Sequence, residues 1–507
     1  MKTLKSIILT SILTLTLVSC DMDKYPYDKI PLDSAAKSFA DCQKLRTGMY
    51  RDLRIIGVSV NALASEIQAD GFIPLSYFGN QLGAIYRWEA NASESTISTV
   101  WSNCYVTIAQ CNLLIKSIEK LQEEDIFEVS EQPIIKNYLG EAYLIRAIAY
   151  SQLAEKFCAA YDPATAGNQY GIPLVDEYAP TSDNTKYPSR ATLAATYSFI
   201  KEDIRLAKEN LSAKGAQSSE YLTVDALSAF EARIALLTKD YDTAIESSES
   251  LLKSARYPLI NNEAKLKEMW KNDITTEVIC QLSCSKQELA PTIGNYFLDD
   301  INDKPVFLPS KDIINSFREK DIRINCYFAF KDIAFSTNQK QRLIVFTKYP
   351  GNPEMYEGTN NYVNKPKIFR IAEQYLITAE AYYLRGEAGD ESMAYDILFE
   401  LMSARDASIQ YAPVTGLTLK NLIRAERERE LFGEGFRLVD LKRYDEEFRR
   451  QTPQSVQLSY ELALDLNIKT DNIRWVWPIP KAEIDANPQI KNQQNPEIGR
   501  ASCRERV

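Results

Sequence analysis

Residues 223–254 read TVDALSAFEARIALLTKDYDTAIESSESLLKS, and this stretch decides the fold. Leu227, Phe230, Ile234 and Leu237 recur at steps of three and four, the spacing that puts side chains on one face of an α-helix. Lys239-Asp240 breaks the pattern as a turn, and Tyr241, Ala244 and Ile245 begin a second apolar stripe. Ala229, Ala232 and Ala235 leave room for two helices to approach closely. The stretch predicts an antiparallel helical hairpin.

A second hairpin is predicted over 368–405, with Ile371, Tyr375, Ala379 and Tyr382 on its first helix and Gly386 and Gly389 in its turn. Both resemble tetratricopeptide units. Helical periodicity also marks 41–55, 134–157, 188–211 and 417–432, with Ser189 or Thr192 as the cap of the third. Residues 100–121 carry Trp101, Tyr105, Ile108, Cys111 and Leu114 at the same steps, so Trp101 is expected in the core. The expected class is all-α: tetratricopeptide-like helix pairs forming a scaffold, with one helical domain over 36–496. Stacked helical units add core as they add length. Four irregular stretches interrupt them, at 71–99, 161–187, 258–309 and 336–365. They are rich in Tyr, Trp, Phe and Asn, which disfavours disorder, and long loops on a rigid scaffold tend to carry function.

Composition excludes several chemistries. Among 507 residues there is no histidine, which removes Ser-His-Asp and Cys-His catalysis and imidazole-based zinc sites. The 69 acids outnumber 59 bases, and a nucleic-acid partner would need clustered cations to displace counterions. The nine cysteines form no paired CxxC. Cys280 and Cys284 make a CxxxC that reads as buried free thiols. No cofactor is expected.

The N-terminus carries Lys2 and Lys5, an apolar run over 7–18, then Leu17-Val18-Ser19-Cys20. The run is shorter than the roughly 20 residues a spanning helix needs, so 1–19 reads as a secretory leader and Cys20 as a lipidation site. Residues 20–35 would then be a membrane-anchored tether. The last stretch, 497–507, reads EIGRASCRERV as a foreign extension, so Cys503 and the arginines beside it are set aside.

Several separated motifs agree, in order, with one family. They include Ser65-Glu66-Ile67-Gln68-Ala69-Asp70, Trp101 with Tyr105 and Asn112, Gly140-Glu141-Ala142 with Arg146 and Tyr150, and Tyr170-Gly171-Ile172-Pro173. The C-terminal half adds Asp321-Ile322-Arg323, Arg370-Ile371-Ala372-Glu373, Glu426-Arg427, Glu430-Leu431, Glu434-Gly435, Arg437 and Trp477-Pro478-Ile479-Pro480. In these residues the chain resembles the SusD/RagB lipoproteins of Bacteroidota nutrient uptake. Members usually end Asn-Pro-Gly-aromatic, whereas Asn495-Pro496 is followed here by Glu497. The resemblance implies four tetratricopeptide-like pairs, loops that bind a nutrient glycan, and a SusC-like TonB-dependent transporter in the outer membrane as partner. It implies surface display, for which Asp21 and Asp23 resemble the export signal, and binding without cleavage. The rivals are a RagB-like peptide cargo and a carboxylate-dependent glycoside hydrolase.

For the hydrolase, Glu426, Glu430 and Glu434 stand at steps of four on one predicted face, and two carboxylates about 5 to 10 Å apart can serve a glycosidase. The competing reading is an ion network with Arg427, Arg429 and Arg437. Glu373 and Glu380 are read the same way. For ligand contact, Tyr77, Phe78, Tyr86 and Trp88 crowd one predicted loop with Asn80 and Gln81. Tyr296 and Phe297 form a second group, and Tyr349, Tyr356, Tyr362 and Asn360 a third. Aromatic faces suit the CH faces of sugars while amides satisfy hydroxyls. The expected ligand set is Tyr77, Phe78, Asn80, Tyr86, Trp88 and Tyr296; the alternative is that such rings pin their own loops. Trp475 and Trp477 are expected to pack. The family motifs transfer no ligand residue and no metal ligand.

Overall fold

A computed structural model describes residues 35–298, 305–336, 339–461 and 466–496. The expected leader 1–19, the expected lipidation site Cys20, the acids Asp21 and Asp23 and the stretch 497–507 lie outside the described residues. The principal helices are α1 (Phe39–Val58), α2 (Val60–Gln68), α3 (Ser95–Glu123), α4 (Gln132–Phe157), α5 (Leu193–Asn210), α6 (Val224–Leu237) and α7 (Tyr241–Lys253). The series continues with α8 (Ile371–Arg385), α9 (Asp390–Arg405), α10 (Gly416–Leu431) and α11 (Arg437–Tyr444). Short antiparallel pairs decorate them, including β1 (Phe72–Pro74) with β2 (Phe307–Pro309) and the hairpin β3 (Phe328–Ser336) with β4 (Gln339–Phe346). This is an all-α, tetratricopeptide-like scaffold.

Local chemistry explains the hairpin at 223–254. The Thr223 hydroxyl accepts the Ala226 N–H at 3.3 Å, a side-chain cap on an otherwise orphaned donor. The turn residue Lys239 sits at φ 61°, and the Asp240 carboxylate caps α7 through the Thr243 N–H. Ala229, Ala232 and Ala235 are buried, so α6 packs closely on α7, and α7 on α8. In the second hairpin, Gly386 and Gly389 take φ 71° and 93°, conformations that side-chain-bearing residues adopt at a cost. Thr192, rather than Ser189, caps α5, accepting from Ala195 N–H at 3.1 Å. Trp101 is buried edge-on to Phe157 at 4.9 Å. The seven cysteines of the described residues are all buried free thiols, Cys280 and Cys284 included.

All four stretches expected to be irregular hold some regular structure. The strand β1 lies within 71–99, strand Tyr170–Pro173 within 161–187, helix Glu263–Lys271 within 258–309, and β4 within 336–365. The helix is short and capped by Asn262, whose side chain accepts two N–H groups. Beneath these segments lies a second, aromatic core: Phe72 stacks on Phe432 at 4.5 Å and meets Phe297 at 4.7 Å and Phe346 at 5.3 Å.

Between the helical core and this aromatic core lies a buried ion network. The Glu430 carboxylate, at the end of α10, accepts from Arg323 and Arg370 at 2.9 Å and from Arg405 at 3.0 Å. Arg323 also reaches Glu426 at 2.7 Å, and Arg405 reaches Glu277 at 2.7 Å. Arg370 and Lys348 both bind Glu434, at 2.9 and 2.7 Å. Glu434 lies beyond the end of α10, so the three glutamates do not share a single helical face. Of the three arginines expected to pair with them, only Arg429 does, at 2.6 Å from Glu426. Arg427 pairs instead with Asp440 and Arg437 with Asp70. Glu373 and Glu380 pair with Arg233 and Arg443.

Burial works against the Glu430 charge, but Arg405, Arg370 and Arg323 outweigh it and hold the carboxyl well below the usual range. A carboxyl depressed by folding contributes stability that is complete above its unfolded value, near 4.3, and is lost as pH falls through the lowered folded value. Replacing Glu430 by Gln leaves three buried guanidinium groups short of one negative charge. The expected cost is about 3–5 kcal/mol, measured as a lower denaturant midpoint at pH 7, with the difference from the parent shrinking below pH 4.

Candidate functional site

Loops from three distant parts of the chain meet above the aromatic core. The strand β1 fixes the first, pairing Phe72 with Pro309 and Pro74 with Phe307. The ladder runs on outward, with Leu75 N–H donating to Val306 C=O at 3.0 Å and Val306 N–H to Tyr296 C=O at 2.9 Å. On its other edge, Ser76 N–H donates to Leu458 C=O and Tyr460 N–H to Pro74 C=O, at 2.7 and 2.9 Å. These backbone bonds bring Tyr77, Tyr296 and Tyr460 onto one surface, all half-buried. The Tyr296 ring stacks toward Phe307 at 6.5 Å, and Tyr460 lies 4.8 Å from Phe78. Burial pushes the Tyr296 phenol up from its ordinary value, so it stays a neutral hydroxyl near pH 7.

The rim is polar. Asn80 and Gln81 are exposed beside Tyr77, and Asn295 is exposed beside Tyr296. Arg87 donates to the Asn80 carbonyl oxygen at 2.8 Å and lies 5.9 Å from the Tyr460 ring centre. The turn is held in an uncommon conformation, with Asn80 at φ 57° and Leu82 at φ 54°. Such backbone costs of order 1–3 kcal/mol each and persists only where the surroundings enforce it. A Cβ on Gly83 would displace the exposed Asn80 amide that Arg87 holds. The result is a fixed surface in which Tyr296 and Tyr460 are edged by amides, with Tyr77 beside them turning its hydroxyl inward, able to stack on apolar ring faces and to exchange hydrogen bonds with hydroxyls.

The sequence-predicted residues divide cleanly. Tyr77, Asn80 and Tyr296 lie at this surface. Phe78, Tyr86 and Trp88 do not offer open faces, and the expectation that they do is corrected by their burial, at 4 %, 0 % and 4 % exposure. Phe78 is the floor beneath Tyr460. Tyr86 has the Arg450 guanidinium 3.9 Å over its ring. Trp88 donates its indole N–H to Gln68 C=O at 2.8 Å and packs edge-on against Trp475 at 4.8 Å. Trp477 donates to the Gln68 side-chain oxygen at 2.6 Å, so Gln68 binds two tryptophans into one buried cluster.

The third aromatic group also serves the scaffold. Asn360 ties its own loop, donating to Pro350 C=O and accepting from Tyr362 N–H, each at 2.8 Å. Tyr349 donates to Gly433 C=O at 2.9 Å and meets Trp270 edge-on at 5.6 Å. Phe297 is core. Sequence reasoning missed Tyr460, Arg87 and Asn295, because nothing near Tyr460 in the chain marks the surface that it joins.

Comparison with known proteins agrees with this architecture. The family model described as "SusD family" matches residues 310–497, and that described as "Starch-binding associating with outer membrane" matches residues 22–236. A SusD-like protein P38 from Formosa agariphila is 21 % identical over 445 residues, covering 78 % of this chain and 79 % of that protein. A SusD superfamily protein from Bacteroides thetaiotaomicron superposes with a TM-score of 0.78 at 24 % identity, over 91 % of this chain and all of the other. Surface glycan-binding protein A from Bacteroides uniformis superposes with a TM-score of 0.67 at 19 % identity, over 90 % and 99 % of the two chains. With two family models matching different halves, in the order the motifs predict, this chain belongs to the SusD family.

Proposed function

We propose that this protein is a cell-surface lipoprotein, anchored at Cys20, that binds a nutrient oligo- or polysaccharide and delivers it to a SusC-like TonB-dependent transporter in the outer membrane. The observation that carries the binding step is the surface formed by Tyr77, Tyr296 and Tyr460 with Asn80 at its edge. Its rings are held by backbone ladders and a packed floor, so little conformational freedom is lost when a ligand docks. The names of the relatives support the reading, since one is a glycan-binding protein of the surface and one matching family is described as starch-binding and associated with the outer membrane. Delivery follows from differential affinity: a ligand touching both lipoprotein and transporter favours the closed arrangement and shifts the population toward it. The protein acts by binding and not by cleavage, because the glutamates best spaced for hydrolysis are each paired with buried cations.

The test is calorimetric titration of the mature protein with a panel of plant, host and microbial oligosaccharides and mixed peptides, followed by analysis of each mixture for cleavage. Saturable heat with one glycan class and intact ligand is expected. Peptide-only binding would move the cargo to the RagB-like class, and cleavage products would overturn the binding-only reading. Tyr460→Ala and Tyr296→Ala should each weaken glycan affinity about tenfold, near 1.4 kcal/mol, with little change in melting temperature. Trp88→Ala should do the reverse. Removing a buried tryptophan costs about 3–5 kcal/mol of stability, while the protein that remains folded binds as the parent does.

A further inference from the structure

A cleft of about 130 Å³ borders the ion network, lined by its Arg370 and Glu434 and by residues of α1, α4, α6 and the segment leading into α8. Its walls include Ile56, Ile148, Leu236 and Ile368, an apolar lining. Its charged side chains are almost all paired: Arg233 with Glu373, Lys367 with Asp273, Arg370 with Glu434, Arg443 with Glu380. Lys156, on the last turn of α4, is the cation that breaks the rule. It lines the cleft, is 5 % exposed, and makes no side-chain hydrogen bond and no ion pair within 4.0 Å among the described residues. Glu155 also lines the cleft, but successive helical residues point about 100° apart, so it does not close on its neighbour.

We propose that this cleft is a binding site for a small aliphatic monocarboxylate, whose carboxylate pairs with the Lys156 ammonium while its short carbon body lies on the isoleucine and leucine walls. An unpaired ammonium removed from water is costly, and it is relieved by losing its proton or by gaining an anion. Burial pushes the Lys156 ammonium below its ordinary range, with Glu155 acting in the opposite sense. The neighbouring Lys442 is already committed, donating to Glu155 C=O at 2.6 Å and Cys158 C=O at 3.0 Å. The polar groups nearest in the lining are also satisfied: Asn61 donates to the Gln152 side chain at 3.2 Å, Gln152 to Ile56 C=O at 3.1 Å, and Ser151 to Ile148 C=O at 3.0 Å. The lining thus holds three unspent donors, the Lys156 ammonium, Arg427 Nη1 and the Trp270 indole N–H, two of them cationic, and no free amide for hydroxyls, which favours an acid over a sugar. A single negative charge fits, because a dianion would also face Glu155 and Glu373. Gln152, Glu155, Arg233 and Lys365 are only half-buried at the rim, which leaves an entrance from solvent.

The test titrates the mature protein with sodium butyrate, with butyramide as its neutral twin and sulfate as an anion of another shape, at constant chloride. Butyrate should bind saturably while butyramide and sulfate do not. Lys156→Met should weaken butyrate at least tenfold and melt no lower than the parent, since it replaces an unpaired buried charge by an apolar chain of similar length. Tyr460→Ala should leave butyrate binding unchanged, which separates this site from the tyrosine surface. Equal binding of butyrate and butyramide, sulfate binding as tightly as butyrate, no butyrate binding at all, or full butyrate affinity in Lys156→Met would each overturn the proposal.

Discussion

The Glu430 carboxylate, shared by Arg323, Arg370 and Arg405, is the constraint on which the rest of the molecule depends. Buried charges persist only when fully paired, so each arginine must be delivered to within hydrogen-bonding distance by its own element. Arg405 comes from the end of α9, Arg370 from the residue before α8, and Arg323 from the segment ahead of β3. Glu277, just before a short strand, closes the far side on Arg405 at 2.7 Å. A misplaced helix would leave a charge unpaired at a cost of several kcal/mol, a large share of the 5–15 kcal/mol by which a domain is stable.

From that point order passes outward to the tyrosine surface. The turn after α10 brings Gly433 and Gly435 N–H groups onto the Glu66 carboxylate, at 3.3 and 2.6 Å. Burial pushes Glu66 up to about 7, with those backbone donors pulling the other way. Glu66 belongs to α2, and Asp70 just beyond it holds Arg437 of α11 at 2.7 Å. The chain leaving α2 becomes β1 two residues after Asp70, and β1 carries the ladder that aligns Tyr77, Tyr296 and Tyr460. The rings are thus positioned by hydrogen bonds that begin in a charge cluster at the C-terminal end of α2, where β1 departs. Their own packing supplies the floor and not the register.

What was legible in the sequence follows the same division between local and distant causes. The helical hairpins were readable because stripe, turn and cap lie within a few residues of one another, as at Leu227 to Ile245. The ion network was half readable. The glutamates of α10 announced it, but the nearby Arg427 and Arg437 were the wrong partners for Glu430, and the right ones lie 25 to 107 residues away. Tyr77, Asn80 and Tyr296 were picked out because aromatic and amide residues in a loop carry a local signal, and none of the three is fully buried. The same signal misplaced Phe78, Tyr86 and Trp88. A ring in an irregular segment looks alike in sequence whether it faces water or, as Trp88 does, meets a tryptophan from residue 475. Tyr460 was invisible for the complementary reason: its neighbours along the chain say nothing of Pro74, to which its backbone is bonded.

The network also bears on why the most tempting acids are unsuited to hydrolysis. A glycosidase acid must hold a proton near neutral pH, which requires a raised pKa. Glu426, Glu430 and Glu434 are buried, which alone would raise them, yet the surrounding arginines and Lys348 reverse the effect and all three are lowered. None can carry a proton where catalysis would need it, and their oxygens are occupied by guanidinium and ammonium donors. The positive charges that make these carboxylates the structural centre of the molecule are the same ones that disarm them as acids.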